Sequence, residues 1–70
     1  MTIVCSDQAM ARRALAVLTL NGVALRNVSE NGPSPQDTNV YLIVNCALTD
    51  AQRAGIRSGL AKKAPGAKIQ

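Results

Sequence analysis

The spacing of apolar positions changes period several times along the chain. Residues 2 to 5, TIVC, are short and β-branched and predict a strand. From Met10 onward the spacing becomes helical. At about 100° per residue, Met10, Ala11, Ala14, Val17 and Leu18 share one face, while Gln8, Arg12, Ala16 and Thr19 share the other. Ser6 or Asp7 can cap the start of this helix, and Asn21-Gly22 offers a left-handed stop. VALRNVSE, residues 23 to 30, alternates loosely as a second strand, and NVYLIVNC, residues 39 to 46, is the clearest strand in the chain. The intervening NGPSPQDT, residues 31 to 38, carries two prolines and a glycine and reads as the long loop of a hairpin.

Thr49, followed three residues later by Gln52, supplies a capping box for a second helix, with Asp50 at the end the macrodipole favours. Its apolar stripe is thin: Ile56, Leu60 and Ala64. Gly55 and Gly59 interrupt it, each costing about 1 kcal/mol relative to alanine in a helix interior. Either they let this helix lie close against its neighbour or they are merely tolerated. Lys62 and Lys63 suit the C-terminal turn, Pro65-Gly66 closes it, and residues 67 to 70 predict a last edge strand.

The order β-α-β-β-α-β is the split βαβ pattern of the ferredoxin-like sandwich, an α/β (α+β) fold. Right-handed crossovers then place both helices on one face of a four-stranded antiparallel sheet. Residues 1 to 70 form a single domain, since a chain this short buries only about 60% of the surface it exposes when unfolded. In this fold the first and third strands are antiparallel neighbours at the centre. Cys5 and Cys46, each late in its strand, therefore belong at opposite ends of the sheet as free thiols.

Two helices cover one face only. Alternation turns Ile3, Cys5, Val23, Leu25, Val40, Leu42, Val44 and Ile69 toward them, and sends Thr2, Val4, Ala24, Arg26, Val28, Tyr41, Ile43, Asn45 and Lys68 to the other side. Val4, Val28, Tyr41 and Ile43 would form an exposed apolar cluster rimmed by Arg26 and Lys68. Such a patch marks an interface with a second copy or with another protein, unless the 31–38 loop folds over it.

Composition narrows the function. Eleven alanines supply much of the 47% hydrophobic content, Phe and Trp are absent, and Tyr41 is the sole aromatic, so the core is thin. There is no histidine to act as a base, and Asp7, Glu30, Asp37 and Asp50 are scattered, which argues against an enzyme. Two cysteines without histidine lie at no metal-ligand spacing, so neither metal nor cofactor is expected. Arg12-Arg13 leading into an apolar run, with Gly22-Val23-Ala24 behind it, has the outline of a secretory signal. Cleavage there would discard a third of the chain and one cysteine. The amphipathic helix explains more of these positions, the run is too short for the roughly 20 apolar residues of a membrane span, and a cytoplasmic location is the resulting expectation.

The net charge of +4 and pI near 9.7 suit contact with an acidic surface or nucleic acid. Arg12, Arg13, Arg53, Arg57, Lys62 and Lys63, on or beside the helices, could track phosphates. Base stacking on the sheet has only Tyr41 to work with, against the two or three aromatics an RNA-recognition sheet uses, and NVYLIVNC lacks that family's Lys/Arg-Gly-aromatic run.

In its length, its lack of motifs and its compact α/β layout, the chain resembles the small inhibitors encoded by bacteriophages and mobile elements, of which anti-CRISPR proteins are the best-known group. The resemblance implies a non-enzymatic protein that blocks a surface of a larger protein or nucleoprotein complex. Many of those inhibitors are acidic DNA mimics. A chain at +4 is not one, so the expected target is an acidic surface, nucleic acid or a sterically blocked groove.

Overall fold

The computed structural model describes residues 1–32 and 35–70; the proline and serine at 33 and 34, within the hairpin loop read from the sequence, lie outside the described residues. The chain runs β1 (Thr2–Cys5), α1 (Gln8–Leu20), a 3-10 turn (Leu25–Asn27), β2 (Val28–Asn31), β3 (Val40–Val44), α2 (Asp50–Lys63) and β4 (Lys68–Ile69). The four strands form one antiparallel sheet in the order β2-β3-β1-β4, and both helices pack on the same side of it, the ferredoxin-like arrangement.

Local chemistry sets the helix ends. The Asp7 carboxylate accepts the Met10 amide at 2.8 Å and starts α1. At the other end Gly22, with φ of 83°, adopts the left-handed conformation; its amide donates to the Thr19 carbonyl at 3.0 Å and the Val23 amide donates to Leu18 at 3.0 Å. This pair of bonds is a Schellman motif, and it folds Val23 back into the core. In α2 the Thr49 hydroxyl accepts the Gln52 amide while the Gln52 side chain accepts the Thr49 amide, each at 3.0 Å, completing the capping box. The other end of the Gln52 amide group donates to the Asn21 carbonyl at 3.1 Å, so the cap of α2 also holds the end of α1.

The helices lie antiparallel and close. A Cβ added at Gly59 would stand 2.7 Å from Val17 Cγ1, and one at Gly55 would stand 2.1 Å from Asn21 Oδ1. The two glycines are thus the contact surface of α2 toward α1, which settles the choice between close packing and mere tolerance. Beneath the helices, Ala11, Ala14, Val17 and Leu18 of α1 and Ile56, Leu60 and Ala64 at α2 bury against Ile3, Cys5, Val40, Leu42 and Val44. The arginine-led run of residues 12 to 24 is part of this packed layer.

The second strand departs from the pattern read in the sequence. After the Schellman exit, Asn27 donates its amide to the Ala24 carbonyl at 2.9 Å, and the resulting 3-10 turn occupies residues 25 to 27 where a strand was expected. This turn shifts the phase of β2. Leu25, expected in the core, is 60% exposed. Arg26 lies in the turn and not on the sheet. Val28 stands opposite the buried Val44 and packs with the core, so it faces the helices and not the open side. The thiols obey the expected topology: Cys5 pairs with Val40 at one end of the central strands, and Cys46 lies beyond Val44, whose amide donates to the Met1 carbonyl at the other end.

Gly59→Ala gives the packing a direct test. The intrinsic helix gain is about 1 kcal/mol, but overpacking against the stiff Val17 costs about 1–3 kcal/mol. Denaturant melts should therefore show a net loss of up to about 2 kcal/mol. In a Val17→Ala background the same change should become neutral or stabilising, because the two positions share one space.

Candidate functional site

The antiparallel registers arrange the open face of the sheet in rows. One row is Asn31–Tyr41–Val4–Lys68, and beside it runs Ser29–Ile43–Thr2, with Gln70 next to Thr2 through a 2.8 Å bond from its amide to the Thr2 carbonyl. The centre of each row belongs to β1 and β3, and Val4, Tyr41 and Ile43 there are half-buried, without a second layer over them among the described residues. The margins are polar. Asn31, Ser29 and Lys68 are exposed, and Asn45 donates its side-chain amide to the Ser29 hydroxyl at 2.8 Å. Of the five residues expected to form the interface, Val4, Tyr41 and Ile43 come together on this face. Val28 is on the opposite side of the sheet, and Arg26 is exposed in the 3-10 turn, next to Asn27 and beyond the end of the rows.

Tyr41 is fixed in place by its hydroxyl. It donates to Asp37 Oδ2, while Asp37 Oδ1 accepts the Asn39 amide at 2.9 Å. The loop leading into β3 is therefore tethered to the edge of the face at Tyr41. The phenol hydrogen bond, with that of the Asn39 amide second, holds the Asp37 carboxyl below the usual aspartate pKa.

All four acids of the chain have local roles. Asp7 caps α1, Glu30 accepts a bond from the Gln8 side chain on the helix side of β2, Asp37 holds Tyr41, and Asp50 lies in the first turn of α2. The basic residues are exposed but dispersed. Gly55 and Gly59 face α1, so helical spacing turns Arg53 and Arg57 to the opposite flank of α2. Arg12 likewise lies on the flank of α1 away from Val17 and Asn21. Only at the seam do charges converge: Gly59 lies against Val17 and Gly66 against Met10, which brings Lys62, with Lys63 beside it, level with Arg13. The six helix-side residues thus occupy three separate places, not one patch.

Sequence reasoning missed the two most exposed large apolar residues, Leu20 at 69% and Leu25 at 60%, at the α1 exit and in the turn after it. The helical wheel held a signal for Leu20, which falls near Ala16 and away from the buried stripe. Leu25 gave none, because its exposure arises from the 3-10 turn. For chemistry, the described residues contain no cavity and no cluster of three metal-ligating side chains. No helix among them is long and apolar enough to cross a membrane. The Cys5 thiol is buried, and desolvation, reinforced by the negative charges of Asp7 and Glu30, pushes its pKa up.

Two measurements check these environments. A thiol reagent should titrate the half-buried Cys46 in the folded protein and reach Cys5 only on unfolding. Tyr41 is the only fluorophore, and a carboxylate accepting its proton quenches it. Because the folded pKa of Asp37 is lowered, its tether is complete above the ordinary aspartate pKa and is lost as pH falls through the folded value. Tyrosine emission should rise over that acidic window, and Asp37→Asn should abolish the titration.

No family model matches this chain, and neither the curated proteins nor the solved structures hold a match to it.

Proposed function

We propose that this is a non-enzymatic binding domain that acts by occupying a surface of a larger protein or nucleoprotein complex, the mode of action of the small inhibitors it resembles in size and layout. The observation that carries the reading is the bare centre of the sheet. Val4, Tyr41 and Ile43 sit on the two middle strands, where the described residues supply no second layer, and keep apolar surface in solvent that an idle wet face would replace with polar side chains. The tether from Asp37 holds the tyrosine ring in one orientation and lowers the entropy it would lose on contact. Cytoplasmic action belongs to the same proposal.

A second reading, phosphate contact through the helix-side basic residues, draws support from the engagement of every acid elsewhere, and is weakened by the dispersal of Arg12, Arg53 and Arg57. It predicts binding to generic DNA or RNA that weakens steeply with salt.

The sheet-face reading is tested by affinity capture with the folded protein. Tyr41→Asp and Ile43→Lys should each abolish capture of a partner that the unaltered chain retains, with circular dichroism unchanged. A partner held equally by both variants overturns it.

A further inference from the structure

We propose that Asn31 is a site of spontaneous deamidation, at which the Gly32 main-chain nitrogen closes a succinimide ring on the Asn31 side chain and water opens it to aspartate or isoaspartate. This holds whether or not the sheet face binds a partner.

The chain carries the dipeptide Asn-Gly twice, at 21–22 and at 31–32. Glycine in the second position favours the reaction because no Cβ crowds the attacking nitrogen. The remaining asparagines, Asn27, Asn39 and Asn45, precede Val28, Val40 and Cys46, which do carry one. The two Asn-Gly pairs are equal by sequence, and tertiary structure separates them.

At the first pair both reacting groups are held. Asn21 Nδ2 donates to the Val17 carbonyl at 2.8 Å, and Oδ1 is lodged against Gly55 in the seam between the helices. The Gly22 amide donates to the Thr19 carbonyl at 3.0 Å inside the Schellman motif. Attack there requires the exit of α1 to open first, and that exit is what sends Val23 into the core.

At the second pair both groups are accessible. The Asn45 amide donates to the Asn27 carbonyl, which makes residues 27 and 45 a hydrogen-bonded pair, and alternation along the ladder makes Asn31 and Tyr41 another. Gly32, next in phase, therefore turns its amide away from β3, and β2 is an edge strand with no neighbour on that side. Neither this amide nor the exposed Asn31 side chain has a hydrogen-bond partner among the described residues. Apart from its chain neighbours, nothing lies within 4 Å of where a Cβ on Gly32 would stand, so the ring has room to close.

Water is the only co-reactant. The Gly32 nitrogen loses its proton to solvent base and bonds to Asn31 Cγ, the Cγ–Nδ2 bond breaks, and Nδ2 leaves as ammonia. Water then adds to one of the two ring carbonyls. Breaking the new N–Cγ bond gives aspartate, and breaking the original peptide bond gives isoaspartate, whose main chain runs through Cβ and Cγ. Either product takes one unit from the formal charge of +4 and puts a carboxylate in the row Asn31–Tyr41–Val4–Lys68. Isoaspartate also lengthens the main chain by one carbon where β2 pairs with Tyr41.

The test is ageing of the folded full chain in mildly alkaline buffer, followed by trypsin, which places Asn21 in peptide 14–26 and Asn31 in peptide 27–53. An unaged sample digested alongside sets the baseline. Peptide 27–53 should gain about 1 Da, located by fragmentation at Asn31 and divided between aspartate and isoaspartate, while peptide 14–26 keeps its mass. In denaturant both peptides should convert. Gly32→Ala meets no neighbour and needs no positive φ; with circular dichroism unchanged, it should slow conversion at Asn31 about tenfold or more. Equal conversion of the two peptides in the folded chain overturns the proposal, as does an Asn31 that converts in denaturant and not in the folded state. Conversion at Asn31 that is indifferent to Gly32→Ala overturns the succinimide route, and the proposal with it.

Discussion

The molecule depends on how closely α2 can lie against α1. Val17 of one helix fits where Gly59 of the other has no side chain, and Asn21 fits at Gly55. A protein interior must be packed to the density of an organic crystal, and this chain has no Phe or Trp with which to fill a wider gap. Small residues solve the problem by bringing backbones together. The helix propensity lost at two glycines is offset by dispersion contacts along the seam, and the Gln52 bond to the Asn21 carbonyl fixes where along the helices that seam lies.

The one-sided character of the fold stems from that seam. Two helices set close together bury the helix-side residues of the central strands, Ile3, Cys5, Val40, Leu42 and Val44, and leave Val28 and Ile69 on the edge strands half-buried. No described element covers the other face. Its centre carries Val4, Tyr41 and Ile43, and the chain's carboxylates are spent on capping helices, on Gln8 and on Tyr41. The open face is apolar in the middle and hydrogen-bonding at the margins, with Lys68 on one side and the Asp37 carboxylate at Tyr41 on the other.

The central strands and both helices were legible because their signals are local and redundant. β1 and β3 each alternate cleanly, and the capping side chains of Asp7 and Thr49 act on amides three residues away. Hence Val4, Tyr41 and Ile43 could be placed on the open face from spacing alone. The segment from Val23 to Val28 was misread for the opposite reason. Its alternation is loose, and the Schellman exit sends Val23 inward before a 3-10 turn consumes three residues. A period-2 reading carried across such a turn loses its phase, and a shift of one residue moves every side chain to the other face. Arg26, Val28 and Leu25 were all displaced by that single event.

The order of elements, the helix boundaries and the identity of the central strands were thus determined by the sequence on its own, because periodicity and capping act within a few residues. Tertiary structure decided the rest. Whether Gly55 and Gly59 serve a purpose, which face Val28 takes, and whether the six helix-side cations converge all depend on what stands opposite each residue. Those neighbours come from distant parts of the chain, Val17 facing Gly59 and Val44 facing Val28, and only the folded arrangement brings them together.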